Sequence, residues 1–415
     1  MLKRRRFLGG AAACACALCA AKTVLAKPLD TTLSPLIGSD YRPLDADERG
    51  LWHSCEDLEQ DLAESGLVLD APDLVEYTRM VLERLLDRRA ADFRVYILRD
   101  PTFNASMAPN GLMIVHTGLL ARVQDEAQYA TVLGHEAGHY FRKHSIEKWR
   151  SVRTKSAIGA FAAAGAHTAA GYSASQGYNG QSWIDLANSI NQALVLSLFS
   201  FSREQESDAD AFGISLLAGA GYTTDAAAAV WAQLISERKA SAAERRTRYR
   251  DNSLSAFSTH PPTEARMRDL KDTAAELAQE GGSRDAKSEE GDLRAALAPH
   301  MNALLAEQIK LNDSGASLYL LGLHAHRGWS GLLRYYEGES YRLRGAPGDA
   351  PLAEAAFADA TRLPDAPPEA WRGLGYALIK RGEREQGLAS LSRYLELKPD
   401  AADAAMVRFS LSSTQ

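Results

Sequence analysis

His135 and His139 stand four apart around Glu136 in the run His135-Glu136-Ala137-Gly138-His139, and no other feature constrains this chain more. The residues just before it, Tyr129-Ala130-Thr131-Val132-Leu133-Gly134, read as helical. On a helix, residues four apart share one face, so both imidazoles can reach one zinc ion with the glutamate beside the attacking water. Metal-assisted peptide hydrolysis requires that arrangement. The bland alternative is a surface helix with two solvated histidines. A third protein ligand decides between the two.

A chain of 415 residues is too long for one compact core and suggests two domains with additions. Its net charge of −6 and the lack of a basic stripe with interleaved aromatics argue against nucleic-acid binding. The cluster Arg245-Arg246-Thr247-Arg248-Tyr249-Arg250 is short and reads as a solvated loop. Residues 1–26 read as an export signal: Lys3-Arg4-Arg5-Arg6-Phe7-Leu8, a weak apolar run, then Val24-Leu25-Ala26 before Lys27. Arg4-Arg5 with Phe7-Leu8 resembles a twin-arginine signal, which places the mature protein in the periplasm. Cys14, Cys16 and Cys19 lie in that segment, so Cys55 alone remains after cleavage, as a buried small apolar residue.

Residues 45–65 and 72–88 read as amphipathic helices, with Leu74, Tyr77, Val81, Leu82 and Leu85 at helical spacing. Residues 93–98 and 111–116 read as strands, 104–110 as a loop, and Thr117 as the cap of a short helix. Residues 155–200 form an Ala/Gly/Ser/Gln-rich excursion too weakly apolar to span a bilayer. They read as a packed hairpin, a lid or a peripheral membrane contact. Residues 278–292 are polar, with a glycine pair, and read as a linker between a domain at 27–277 and a helical domain at 293–415. In the latter, Trp371, Leu374, Gly375, Leu378, Gly382, Leu391, Tyr394 and Pro399 are spaced as in a tetratricopeptide repeat, with Gly387 in place of the usual Ala. Gly338, Tyr341, Gly345, Ala353, Phe357, Ala360 and Pro364 form an upstream unit whose turn is about three residues longer than the pattern.

The third ligand is available in Ser202-Arg203-Glu204-Gln205-Glu206-Ser207-Asp208-Ala209-Asp210. Glu206 and Asp210 lie four apart on one helical face. Glu206 would complete a His₂Glu site, and Asp210 would accept the outer N–H of a ligating histidine.

These motifs together resemble the zinc metallopeptidase family that holds the CAAX prenyl endopeptidases and the periplasmic beta-barrel assembly-enhancing proteases. Asn104-Ala105 with Pro109 and Gly111, then Thr117-Gly118-Leu119-Leu120, resembles that family's run ahead of the metal helix. The two metal motifs are followed by a third, Ser258-Thr259-His260-Pro261 with Arg266. Asp208 departs from a common Glu, and Ser106-Met107 from an aromatic-aliphatic pair. The resemblance covers about residues 70–270 and implies an α+β, mainly helical zincin-like domain with a small sheet, followed by an all-α tetratricopeptide-like domain.

It further implies one Zn²⁺ per chain on His135, His139 and Glu206, with Glu136 as general base and then acid. His260 and Arg203 are candidates for the second electrophile at the oxyanion, and the resemblance makes His260 a candidate regulatory fourth ligand as well. His144, five after His139, reads as a solvated helix-end residue. His53, His116, His167, His300, His324 and His326 lack ligand spacing. The implied function is a periplasmic endopeptidase acting on polypeptides in quality control of envelope and outer-membrane proteins, its repeats meeting assembly machinery. The alternative is a non-proteolytic chaperone or adaptor with a latent metal site. A membrane-embedded prenyl-protein peptidase is disfavoured, because no multi-span hydropathy exists.

Overall fold

The computed structural model describes residues 43–154, 201–249, 260, 263–279 and 290–412. The expected export signal, the excursion at 155–200, most of the linker at 278–292, and Ser258, Thr259 and Pro261 lie outside the described residues.

Helices α1 (Ala46–Glu64) and α2 (Pro72–Leu86) follow the predicted periodicity. Pro72 opens α2, where a missing N–H costs nothing. A short 3-10 turn leads to β1 (Arg94–Leu98), and β2 (Ala105–Met107) and β3 (Leu112–His116) complete a sheet of order β1-β3-β2. β1 runs parallel to β3 and β2 antiparallel to it. Strand β2 corrects the expected loop at 104–110. Its three residues are all buried and show no alternation, so periodicity gives no sign of it. Gly111 makes the turn into β3 at φ +89°, and a Cβ there would fall 2.3 Å from the Asp92 carbonyl oxygen.

Every residue of β3 is buried, because helices cover both faces of the sheet. Leu112 and Ile114 pack with Leu51, Cys55, Leu58 and Leu62 of α1. Met113 and Val115 join the larger core with Leu74, Leu82, Tyr129 and Leu133. Cys55 is fully buried, as expected, and burial pushes its thiol up.

Helix α3 (Thr117–Leu120) begins where Gly118 passes the backbone of residues 101–102. A Cβ on Gly118 would lie 2.2 Å from the oxygens of Pro101 and Thr102. Helix α4 (Glu126–Phe141) carries the paired histidines; Asp125 caps it by accepting from Gln128 N–H. Glu126, fully buried, accepts from Tyr77, Tyr222 and Arg84 and anchors that end of the helix. After α5 (His144–Thr154) come α6 (Arg203–Gly219), α7 (Asp225–Glu244) and α8 (Glu264–Gln279).

Helices α9 (Glu290–Leu297), α10 (Met301–Lys310) and α11 (Ser314–His324) follow. Leu293, Leu297, Leu304 and Leu320 from these helices lie in the same core as α2, α4 and the sheet. Arg122 links these helices to the rest of the core from a buried position. Its guanidinium donates to Glu237 of α7, to Gln308 of α10, and to the carbonyls of Pro101 and Gly118. His324 Nε2 adds a bond to the Ala121 carbonyl at 2.8 Å.

The remainder is helical: α12 (Gly331–Arg344), α13 (Asp349–Thr361), α14 (Pro368–Arg381), α15 (Arg384–Leu397) and α16 (Ala404–Ser412). The pairs α12/α13 and α14/α15 close in the same way, a glycine on the first helix facing a large apolar residue on the second. Gly338 meets the Phe357 ring, and Gly375 meets Leu391. No described helix is long and apolar enough to cross a membrane.

Candidate metal centre

Small residues let α4 and α6 touch almost backbone to backbone. A Cβ on Gly138 would come within 3.0 Å of Ala209 Cα, and one on Gly213 within 2.9 Å of the His135 nitrogen. Ser202 starts α6 with a capping box, exchanging bonds with Gln205. The close crossing then sets Glu206, in the first turn of α6, over the histidine face of α4. Glu204 is exposed, so the i,i+4 partner of Asp210 is indeed the inward carboxylate.

His135, Glu136 and His139 are all but fully buried and Glu206 nearly so. The two Nε2 atoms stand 3.0 Å apart. Glu206 Oε2 lies 3.5 Å from Nε2 of His135, and Oε1 lies 3.7 Å from Nε2 of His139. Donor atoms at about 2.0–2.1 Å from a tetrahedral zinc are about 3.3 Å from one another, so this triangle suits the ion. Glu206 Oε2 also makes no hydrogen bond although it is buried, with Arg266 Nη1 approaching off-line at 3.0 Å. A buried carboxylate whose two oxygens each face one imidazole nitrogen, one of those oxygens lacking a hydrogen bond, fits a bound cation.

The electrostatics favour the ligating forms. Burial pushes both histidines below the usual range, Arg266 adding to the effect at His135, and His135 and His260 adding to it at His139. Burial raises the Glu206 carboxyl, but His260, Arg266 and His135 outweigh it and bring it down to about 2. Neutral imidazole and ionised carboxylate are what a metal binds. Glu136 is the contrast: burial, with Glu206 adding to it, pushes its carboxyl up to about 7.

Asp210 lies where the spacing predicts, its Oδ1 2.9 Å from His135 Nδ1. Arg266 grips Asp210 through Nε and Nη2 at 2.6 and 2.7 Å and stacks on Trp231 at 4.1 Å. Its motif neighbours give no hint of that double hold on Asp210 and Glu206. His144 is corrected: it is buried, not solvated, with Nδ1 2.9 Å from His139 Nδ1. Lys143 takes φ +60°, ends α4 and folds His144 back onto the site. Phe201, which sequence reasoning passed over, stacks on the His139 ring at 3.8 Å.

His260 enters the cluster. Its Nδ1 is 2.7 Å from Glu206 Oε1 and 3.1 Å from His135 Nε2, and its Nε2 is 3.4 Å from Glu136. His135, His139, Glu206 and His260 offer ligand atoms within 4.8 Å of one another. Burial lowers the His260 imidazole, yet the Glu206 and Glu136 carboxylates prevail and raise it. Arg203, by contrast, opens α6 as an exposed residue. His116 is buried against Thr102 and Asp100, and His300 pairs with Asp73 at 2.7 Å. His167 lies outside the described residues.

Two imidazoles from one helix turn, a carboxylate from a second helix and a protonatable carboxyl between them define the zinc-peptidase class of site. Residues 71–274 match Peptidase family M48. The chain is 28% identical over 201 residues to the "Mitochondrial metalloendopeptidase OMA1" of Schizosaccharomyces pombe, covering 47% of this chain and 52% of that one. It is 26% identical over 213 residues to the "Putative beta-barrel assembly-enhancing protease" of Vibrio cholerae, covering 50% and 40%. The "Beta-barrel assembly-enhancing protease" of Escherichia coli is 23% identical over 219 residues, covering 51% and 41%. The chain thus spans about half the length of these relatives, or less.

Proposed function

We propose that the chain is a zinc-dependent metalloendopeptidase, with His135, His139 and Glu206 holding the ion and polypeptides as substrates. The observation that carries this reading is the buried convergence of those three side chains beside Glu136. Zinc, when bound, supplies a Lewis acid that activates water and polarises the scissile carbonyl. Glu136 takes the proton from the attacking water and passes it to the leaving amine, a task suited to a carboxyl near 7. Asp210, held by Arg266, keeps the His135 tautomer that leaves Nε2 free. His260, its Nε2 3.4 Å from Glu136, is placed to donate toward the oxyanion, a role that exposed Arg203 serves less well.

An extended substrate adds along β2, the edge strand, which among the described residues pairs with β3 alone. Phe103, Asn104, Ala105 and Trp231 line a small cavity of about 10 Å³ there with His135, Glu136 and His260. Periplasmic action on misassembled outer-membrane proteins is supported by the twin-arginine-like start and by likeness to relatives named beta-barrel assembly-enhancing proteases. The repeat spacing of the C-terminal helices supports a role for them in meeting assembly machinery.

The adaptor reading draws on one observation, the His260 ring inside the donor cluster. Glu136→Gln separates the two. On an unfolded outer-membrane protein or casein, the variant is expected to lose about 10²–10⁴-fold in rate while retaining one zinc by metal analysis. Undiminished cleavage would sink the assignment, and full support of the cellular role by the inactive variant would favour the adaptor.

A further inference from the structure

The zinc reading above leaves the outer nitrogen of His139 without an assigned partner, and the structure supplies one. We infer that His144 is a positioning residue for His139, completing with Asp208 a second outer arm of the metal centre. This inference rests on that reading and goes beyond it, because it concerns how one ligand is held.

The geometry allows one proton arrangement. His139 Nε2 faces His135 Nε2 at 3.0 Å, on the side of Glu206. With that nitrogen turned to the ion, the His139 proton sits on Nδ1. His144 Nδ1 stands 2.9 Å away and must accept it. The proton of His144 is then on Nε2, which lies 3.4 Å from Asp208 Oδ2. Arg142 Nε, 3.3 Å from the same oxygen, steadies the carboxylate. The contacts run from Arg142 through Asp208 and His144 to His139, the His144–His139 hydrogen bond being the shortest. Phe201, stacked on the flat of the His139 ring at 18°, hinders its rotation.

Local backbone makes the arm. Lys143 N–H bonds to the Tyr140 carbonyl and Glu147 N–H to the Lys143 carbonyl, so α4 ends and α5 begins across a single left-handed residue. An uninterrupted helix would carry His144 about 140° around from His139. His144 is instead 4% exposed against the ligand ring. The two ligating histidines are thereby served differently. His135 meets a carboxylate directly through Asp210, whereas His139 meets one through a second imidazole. Both carboxylates come from α6, two residues apart.

The test is a competition titration of the full chain with zinc against a chromophoric chelator, beside circular dichroism of each variant. Partners of this kind are worth about 10–100-fold in metal affinity. His144→Leu fills the space but cannot accept, and is expected to weaken zinc by about 10–100-fold at unchanged helix content. His144→Asn restores an acceptor near the position of Nδ1 and is expected to bind within about threefold of the native chain. Native affinity in His144→Leu, or equal losses in the Leu and Asn variants, would overturn the assignment. If His144→Leu does not fold, the Asn variant decides: a loss beyond about tenfold overturns the inference. A native chain that takes up no zinc in the same titration overturns the metal reading itself, and that result is distinct from either variant's.

Discussion

Gly213 presses its bare Cα against the backbone of His135, leaving no room for a methyl group between α6 and α4. A Cβ there would lie 2.9 Å from the His135 nitrogen and 3.1 Å from the Gly134 carbonyl carbon. Both obstacles are backbone, so neither can swing aside. This contact sets how near Glu206 comes to the two imidazoles.

Gly213→Ala is therefore expected to move α6 away from α4 and to cost about 1–3 kcal/mol of stability, as overpacking does. The same shift should weaken zinc uptake, because the carboxylate and the imidazoles ride on separate helices. Urea denaturation and a metal titration read both effects. A variant native in both would show that the helices yield more easily than the contact implies.

Removing the metal should destabilise the fold. An ion at about 100 times its dissociation constant contributes about 2.7 kcal/mol, and stripping leaves Glu206 Oε2 buried without a hydrogen bond. A chelator-treated sample, checked for metal loss, is expected to melt several degrees lower and to recover on adding zinc. An unchanged melting temperature would count against a structural contribution from the site.

Asp100 provides a pH signature away from the metal. Burial alone would raise its carboxyl, but His116 and Thr102 outweigh that and hold it below the usual range. A carboxylate depressed in the folded state contributes stability that is complete above its unfolded value and disappears as pH falls through the folded one. As pH falls below about 4 the native chain should thus lose more of its urea resistance than Asp100→Asn does. At pH 7 the variant itself should be less stable by about 2 kcal/mol. Parallel pH curves for the two proteins would refute the assignment.

Gly387→Ala tests the C-terminal packing. The added carbon would meet Ile379 Cγ1 at 2.5 Å and the Gly375 oxygen at 2.7 Å. The expected cost is about 1–3 kcal/mol, read by denaturation, although Ala is the common residue at that point of the repeat pattern. A neutral or stabilising outcome would mean that α14 and α15 separate freely.

Local spacing made the site legible where the structure is local. His135 and His139 are one helix turn apart, as are Glu206 and Asp210, and the structure brings the two pairs together. His144 was hidden because nothing about a lysine announces the left-handed turn at Lys143 that folds it inward. Phe201 and Arg266 reach the site from other segments, and their contacts depend on tertiary approach rather than on period. The same holds for Arg122, whose partners come from four separated stretches of chain. Strand β2 escaped because three uniformly buried residues carry no alternation.

The leucines that α9, α10 and α11 contribute to the core around α4 bear on how such a chain could be assembled from parts. An exchange of rear halves made at the polar stretch ahead of α9 would strip Leu293, Leu297, Leu304 and Leu320 from the front half and leave Arg122 without Gln308. A splice after His324 would keep that interior whole. New C-terminal helices can thus be grafted onto this scaffold most safely near Gly328, where the backbone already turns at φ +120°.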